Sequence, residues 1–152
     1  MSPKLGRFEA VEDEVKVFRL VRRIKDHFPP DIPKPLPRAF ALTPADYQEG
    51  EARQHPPMLS IWDTNRTSIE QAIAIRARLS NSPPDTTQQA LGWNVGTLVG
   101  FGLDVVSDPL DPALAGAGAE GHCGIQGLCE RTKSKQEVKV LRSKMADTCL
   151  PV

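Results

Sequence analysis

Leu59 to Leu79, LSIWDTNRTSIEQAIAIRARL, decides the fold: a short apolar run stops at Asp63-Thr64-Asn65, and an apolar rhythm of three to four residues begins. That is a strand, a turn and a capped helix. Thr67 and Glu70 have the S/T-x-x-E spacing of a capping box, in which the Thr hydroxyl accepts from a free backbone N–H and the Glu reaches back to the cap. Ile69, Ala72 and Ile73 form one apolar stripe, joined by Ile75 and Leu79, and an arc this wide belongs against a sheet. The stretch accounts for folding and spells out no reaction.

The same logic returns near the other end. His122 to Leu128, HCGIQGL, reads as a strand, and a polar break separates it from a helix opened by Ser134 and Glu137, with Val138, Leu141, Met145 and Cys149 as its buried stripe. The two units share no residue pattern beyond that order, so they are not an internal duplication. Between them, Asn94 to Ser107 alternates Val95, Thr97, Val99, Phe101, Leu103 and Val105 with smaller residues. Either another backbone approaches its glycines closely, or Gly100 and Gly102 break the run into a helix end and a strand over Leu103 to Val106. Asp111 to Gly121 reads as a flexible loop. Ser80 to Thr87 is a breaker, after which Thr86 or Thr87 caps a short helix through Gln88 to Leu91.

Upstream, Val15 to Ile24 fits a helix with Val17, Leu20, Val21, Ile24 and Phe28 on one stripe, or a strand in which Val15, Val17 and Val21 alternate with charge. Pro29 to Pro37, PPDIPKPLP, removes donors and fixes φ at five positions, which excludes helix or central strand and leaves a stiff spacer. Pro30-x-x-Pro33-Lys34 also has the outline of an adaptor-domain ligand, although rigid loops are the commoner source of such patterns. Arg38 to Leu42 reads as a short strand, and Thr43 to Pro57 as a long loop. Residues 1–14 show no sustained period and read as a mobile leader.

Composition narrows the function classes. A chain of 152 residues suits one domain that buries its own core. Nineteen basic residues balance nineteen acidic ones, so no global field recruits nucleic acid or an anionic membrane. Cys123, Cys129 and Cys149 are an odd set that suits a reducing compartment, which points to the cytoplasm. No run approaches the roughly 18 apolar residues of a membrane span. No cofactor motif is present: Gly100-Phe101-Gly102 lacks a third glycine and a helix start, and there is no P-loop lysine pattern.

The order of landmarks is Phe18-Arg19-Leu20, Ala39-Phe40, Leu59-Ser60-Ile61, a helix opened by Thr67-Ser68, a Gly-Leu-Asp-Val-Val segment leading to Asp108-Pro109-Leu110, and His122-Cys123-Gly124-Ile125-Gln126-Gly127. With its Lys-rich final helix, this resembles a set of small uncharacterised bacterial proteins whose strands read AF, LSV, GVV-x-DP and HA-x-I-x-G. The resemblance spans about residues 15 to 148, implies bacterial origin and a strand over residues 15–21, and carries no established activity. Cys123 stands where that pattern has Ala, and the proline spacer and the 43–57 segment look like insertions.

The expected architecture is α+β: one domain over residues 15–152, with a small mixed or antiparallel sheet covered by two or three helices, those at 68–79 and 134–148 foremost. Its strands are Val15 to Val21, Arg38 to Leu42, Leu59 to Trp62, Leu103 to Val106 and His122 to Gly127. By alternation His122 shares a face with Gly124 and Gln126, while Ser60 faces away from Leu59 and Ile61, and Asp63 follows close behind. A lone His at a strand start is more often structural than catalytic. A Ser, His and Asp set would suggest acyl transfer, yet no G-x-S-x-G turn or Gly-rich oxyanion segment accompanies Ser60. His122, Cys123, Cys129 and Cys149 add up to a zinc set whose spacing argues against it, and no metal site is expected.

Lys16, Arg19, Arg22, Arg23 and Lys25 form one basic run (16–25), and Arg131, Lys133, Lys135, Lys139, Arg142 and Lys144 another (131–144), together 11 of the 19 basic residues. As neighbours they would make a face for phosphate or an acidic partner, and nucleic acid has no other route; the plainer reading is a solvated surface. Two functions follow. The first is a non-catalytic bacterial accessory module that binds another protein of its own system. The second is a small enzyme with Arg19, Ser60, Asp63, Asp108 and His122 around one cleft, acting on a phosphate- or acyl-containing substrate with His122 as acid or base and Arg19 as anion clamp.

Overall fold

Val17 and Val21 lie on one side of strand β1 (Lys16–Val21) and Phe18 and Leu20 on the other, and all four are buried. A strand apolar on both sides sits inside a sheet covered on both faces. The computed structural model describes residues 6–152, in which β1 is flanked by β2 (Leu59–Asp63) and β3 (Gln89–Asn94). With β4 (Asp104–Ser107), β5 (His122–Gln126) and β6 (Leu150–Pro151) they form one antiparallel sheet in the order β4-β5-β2-β1-β3-β6. The fold is α+β.

Helix α5 (Lys135–Thr148) covers one face, its Leu141 and Met145 packing with Val17, Val21, Leu59, Ile61, Ile125 and Phe40. Trp93 closes that core, its indole N–H donating to the Met145 carbonyl at 3.1 Å. Ala72 and Ile75 of α2 (Ile69–Ser80) cover the other face over Phe18, Leu20 and Trp62. No helix among the described residues is long and apolar enough to cross a membrane.

The sheet is not continuous. β1 pairs with β3 along all six residues, from Lys16 opposite Asn94 to Val21 opposite Gln89, but with β2 only at Val17–Asp63 and Phe18–Trp62. Beyond Phe18 the two central strands part. Next to the β4 edge, Phe8 N–H donates to the Ser107 carbonyl, Ser107 N–H to Glu9, and Val11 N–H to Val105, which covers an otherwise open strand. The first part of the 1–14 leader, residues 1–5, lies outside the described residues.

Several expectations are corrected. Arg38 to Leu42 is no strand: Pro37–Phe40 is a 3-10 turn with Pro at its start, and it packs Phe40 edge-on to Trp93 at 5.3 Å. The 43–57 segment contains α1 (Pro44–Ala52), capped by Thr43, whose hydroxyl accepts from Asp46 N–H while the Asp46 carboxylate accepts from Thr43 N–H. Gln88 to Leu91 is no helix: β3 starts at Gln89, and Ala90, Leu91 and Trp93 are buried between covered faces. The cap of α2 falls one residue later than expected, on Ser68 with Gln71, while Thr67 Oγ1 donates to the Gly118 carbonyl at 2.6 Å. Of the two readings of Asn94 to Ser107, the broken one holds: α3 (Val95–Gly100) ends at the glycines and β4 follows. The 111–121 loop includes α4 (Pro112–Ala115), capped by Asp111. Ser134 caps α5 as expected, accepting from Glu137 N–H at 3.1 Å.

Candidate functional site

Where β1 and β2 part, a cavity of about 380 Å³ opens, bounded by the two strands, α1 and α2. Antiparallel register would place Leu20 opposite Ser60, but there is no pairing there, so the Ser60 carbonyl loses its ladder partner. Arg19 replaces it. Its Nη1 donates to the Ser60 carbonyl at 2.9 Å and its Nε to the Ala39 carbonyl at 3.2 Å. Buried carbonyls need partners, and a guanidinium with five donors satisfies two while keeping others free.

Across the cavity, Ser60 is exposed on the face that alternation assigns it, and its Oγ lies 3.2 Å from His122 Nε2. His122 Nδ1 lies 2.9 Å from the Asp108 carbonyl oxygen and 3.3 Å from Asp108 Oδ2. A carbonyl can only accept, so Nδ1 carries the proton. In the neutral ring Nε2 is then a bare acceptor aimed at the Ser60 hydroxyl. Trp62 packs edge-on to the imidazole at 5.0 Å and fixes its tilt.

Asp108 is itself held. Arg53, which follows α1, donates to both carboxylate oxygens at 2.5 and 3.0 Å, and its guanidinium stacks over Phe8 at 4.7 Å. Burial raises the Asp108 pKa, but hydrogen bonds from His122 and Arg53 more than reverse that and hold the carboxyl well below the usual range. The hydrogen bond to Asp108 in turn raises Arg53, against the opposing effect of burial. The chain Arg53–Asp108–His122–Ser60 thus runs from the helix to the cavity.

The far end is cationic. Arg76 of α2 donates through Nη1 to the Leu20 carbonyl at 3.3 Å and to Gln88 Oε1 at 2.8 Å. Burial and the Arg76 charge bring Arg19 down to about 10, with Asp46 pulling the other way, so it stays protonated at neutral pH. Burial and Arg22 lower Arg76 likewise, opposed by Asp85. Gly124, opposite Ser60 in β5, leaves room for Met58: a Cβ there would meet the Met58 sulfur at 2.5 Å.

Four of the five expected residues line this cavity: Arg19, Ser60, Asp108 and His122. Asp63 does not. It is buried at the end of β2, its Oδ1 accepting from Asn65 N–H and its Oδ2 3.5 Å from Arg66 Nε, which is turn-forming work. Arg53 and Arg76 were not singled out in the sequence; the first lay in an apparent loop, the second on a helix surface. Cys123 points to the α5 face, where burial pushes its thiol up to about 12, and burial pushes Cys149 up to about 11. Cys123 is buried in that core and Cys149 packs partly buried against it. No group of three His, Cys, Asp or Glu side chains among the described residues is placed to hold a metal.

Part of each basic run is engaged locally, Arg23 for instance donating to the Pro30 carbonyl at 2.9 Å. Arg131 pairs with Glu51 and stacks over Tyr47, Arg142 pairs with Glu130, and Lys133 donates to the Gly127 carbonyl. No protein-family model, curated protein or solved structure matches the chain.

Proposed function

We propose that this protein is a small hydrolytic or group-transfer enzyme acting on an ester-like substrate at an acyl carbon or phosphorus atom. The observation that carries the reading is the Ser60 Oγ to His122 Nε2 contact of 3.2 Å, with Nδ1 anchored on Asp108, inside a cavity of small-molecule size. His122 takes the Ser60 proton as the Oγ bond to the substrate forms, and it gives that proton to the leaving group as the old bond breaks. Water then reverses the exchange and frees Ser60. Arg53 and Asp108 hold the ring, and Arg19, bonded to the Ser60 carbonyl, sets positive charge beside the nucleophile.

A fluorophosphonate probe tests this directly, because a nucleophilic serine displaces fluoride and gains a stable phosphonyl adduct. Intact-mass analysis should show one adduct on Ser60, with none in Ser60→Ala and labelling slowed by about a thousandfold in His122→Ala. If a folded wild-type protein labels no faster than His122→Ala, the catalytic reading falls. The accessory-module reading would then stand in its place, supported by the exposed Pro30 to Lys34 segment and the exposed Leu150 and Val152 beside the β3–β6 edge. Recovery of one stoichiometric protein partner from the native host would carry that reading.

A further inference from the structure

Two guanidinium groups line the cavity without a carboxylate partner. Among the described residues neither Arg19 nor Arg76 makes an ion pair within 4.0 Å; each is held instead by neutral oxygens, Arg19 by the carbonyls of Ala39 and Ser60 and Arg76 by Leu20 and Gln88. Arg19 is half-buried and Arg76 is exposed; a half-buried arginine held without a carboxylate is costly unless an anion meets it. Here the two charges come from different elements, β1 and α2, and each bond they make leaves further N–H donors unspent. The one acidic group close enough to be felt at Arg19 is Asp46, and its carboxylate is committed to the Thr43 backbone as a helix cap.

We propose that the Arg19–Arg76 end of the cavity is a binding subsite for a phosphate group carried by the substrate. Asp85 is felt at Arg76 as Asp46 is at Arg19, but neither carboxylate pairs with its arginine, and two such positive charges match a phosphate dianion, whose charge is about −1.5 to −2 at neutral pH, better than a single carboxylate does. Donors converging from two directions suit a tetrahedral anion, and guanidinium forks suit its oxygens. The apolar part of the cavity lining, Leu20, Ile75, Leu79 and Leu110, would take the uncharged body of such a molecule. The substrate class is therefore a small phosphorylated metabolite with an ester-like group that reaches Ser60. This last step rests on the catalytic reading, whereas phosphate binding does not.

The full-length chain titrated with inorganic phosphate at constant ionic strength, followed by calorimetry or by chemical shifts of the arginine side chains, gives the test. Saturable binding is expected in the wild type and, unchanged, in Ser60→Ala. Arg76→Gln should weaken it at least tenfold, and Arg76→Lys by less. Arg78→Gln, two residues along the same helix and outside the cavity lining, should leave it intact. Arg19→Gln removes a donor to the Ser60 carbonyl and can unfold the chain, so the Arg76 series carries the decision. Absence of saturable binding, equal affinity in Arg76→Gln, or an equal loss in Arg78→Gln overturns the subsite. Phosphate binding by a protein whose Ser60 resists the fluorophosphonate would sink the catalytic step and leave the subsite standing; the reverse pattern would do the opposite.

Discussion

The two faces of the sheet are built from the same strands and end differently. Under α5 the face is closed: Val17, Leu59, Ile61, Ile125 and Met145 have no exposed surface, and the Trp93 indole is satisfied by a helix carbonyl. On the other face α2 covers Phe18 and Trp62, but the parting of β1 from β2 leaves a cavity in whose lining Arg, Ser, His and Asp stand among apolar side chains. The difference lies in pairing, not in hydrophobicity. Where the ladder is complete, side chains meet and exclude water; where it stops, free carbonyls must be satisfied by long polar side chains, and those side chains make the site.

If that contrast is right, the largest stability change should come from the closed face. Met145→Ala removes a fully buried side chain from a packed core and should cost about 2–5 kcal/mol. Denaturant unfolding measures it, and fluorophosphonate labelling of the fraction still folded should keep its rate. Loss of labelling in parallel with folding of the remaining molecules would mean the two faces are not independent.

Next comes the link between scaffold and site. Asp108→Asn breaks the pair with Arg53, and because Arg53 keeps 19% of its side chain exposed the cost should be about 2–3 kcal/mol, less than for a sealed pair. The pH dependence has a definite sign. A carboxyl held below its ordinary value contributes stability that is fully present above about pH 4 and is lost as pH falls below that. Acid unfolding of Asp108→Asn should therefore begin from a lower plateau and fall less steeply. A variant with the wild-type acid slope would show that Asp108 is not the carboxylate that matters there.

What the sequence made legible follows the same division. Periods of two and of three to four residues placed β2, β5, α2 and α5, because each has one face fully buried. The β3 strand, Gln-Ala-Leu-Gly-Trp-Asn, shows no alternation because both of its faces are covered. The α2 cap slipped by one residue because Thr67/Glu70 and Ser68/Gln71 offer the same spacing, and the tertiary bond from Thr67 to Gly118 decides between them. Thr43-Pro44 with Asp46 was a readable helix start, hidden among polar residues. In the site, Ser60 and His122 were legible as polar residues on alternating strands. Arg19 was expected there too, as an anion clamp, but alternation alone puts it with Val17 and Val21 on the α5 side. It reaches the cavity only through the split, and a missing strand pair leaves no local signature.

The smallest stability effect is the sharpest test of the comparison. Ser60 is exposed, and its hydroxyl makes one bond, to His122 Nε2, which itself lines the open cavity. In Ser60→Ala, water can reach the nitrogen that the hydroxyl leaves, and the imidazole keeps its Nδ1 bond to Asp108 and its contact with Trp62. No buried group is stranded, so the change in unfolding free energy should stay within about 0.5 kcal/mol. Labelling, by contrast, should disappear. A structural serine would give the opposite pattern, because a buried hydroxyl that ties two strands costs about 1–3 kcal/mol when its partner is left unsatisfied. A measured loss in that range, by denaturant unfolding at neutral pH, would make Ser60–His122 a brace across the split rather than a reactive pair.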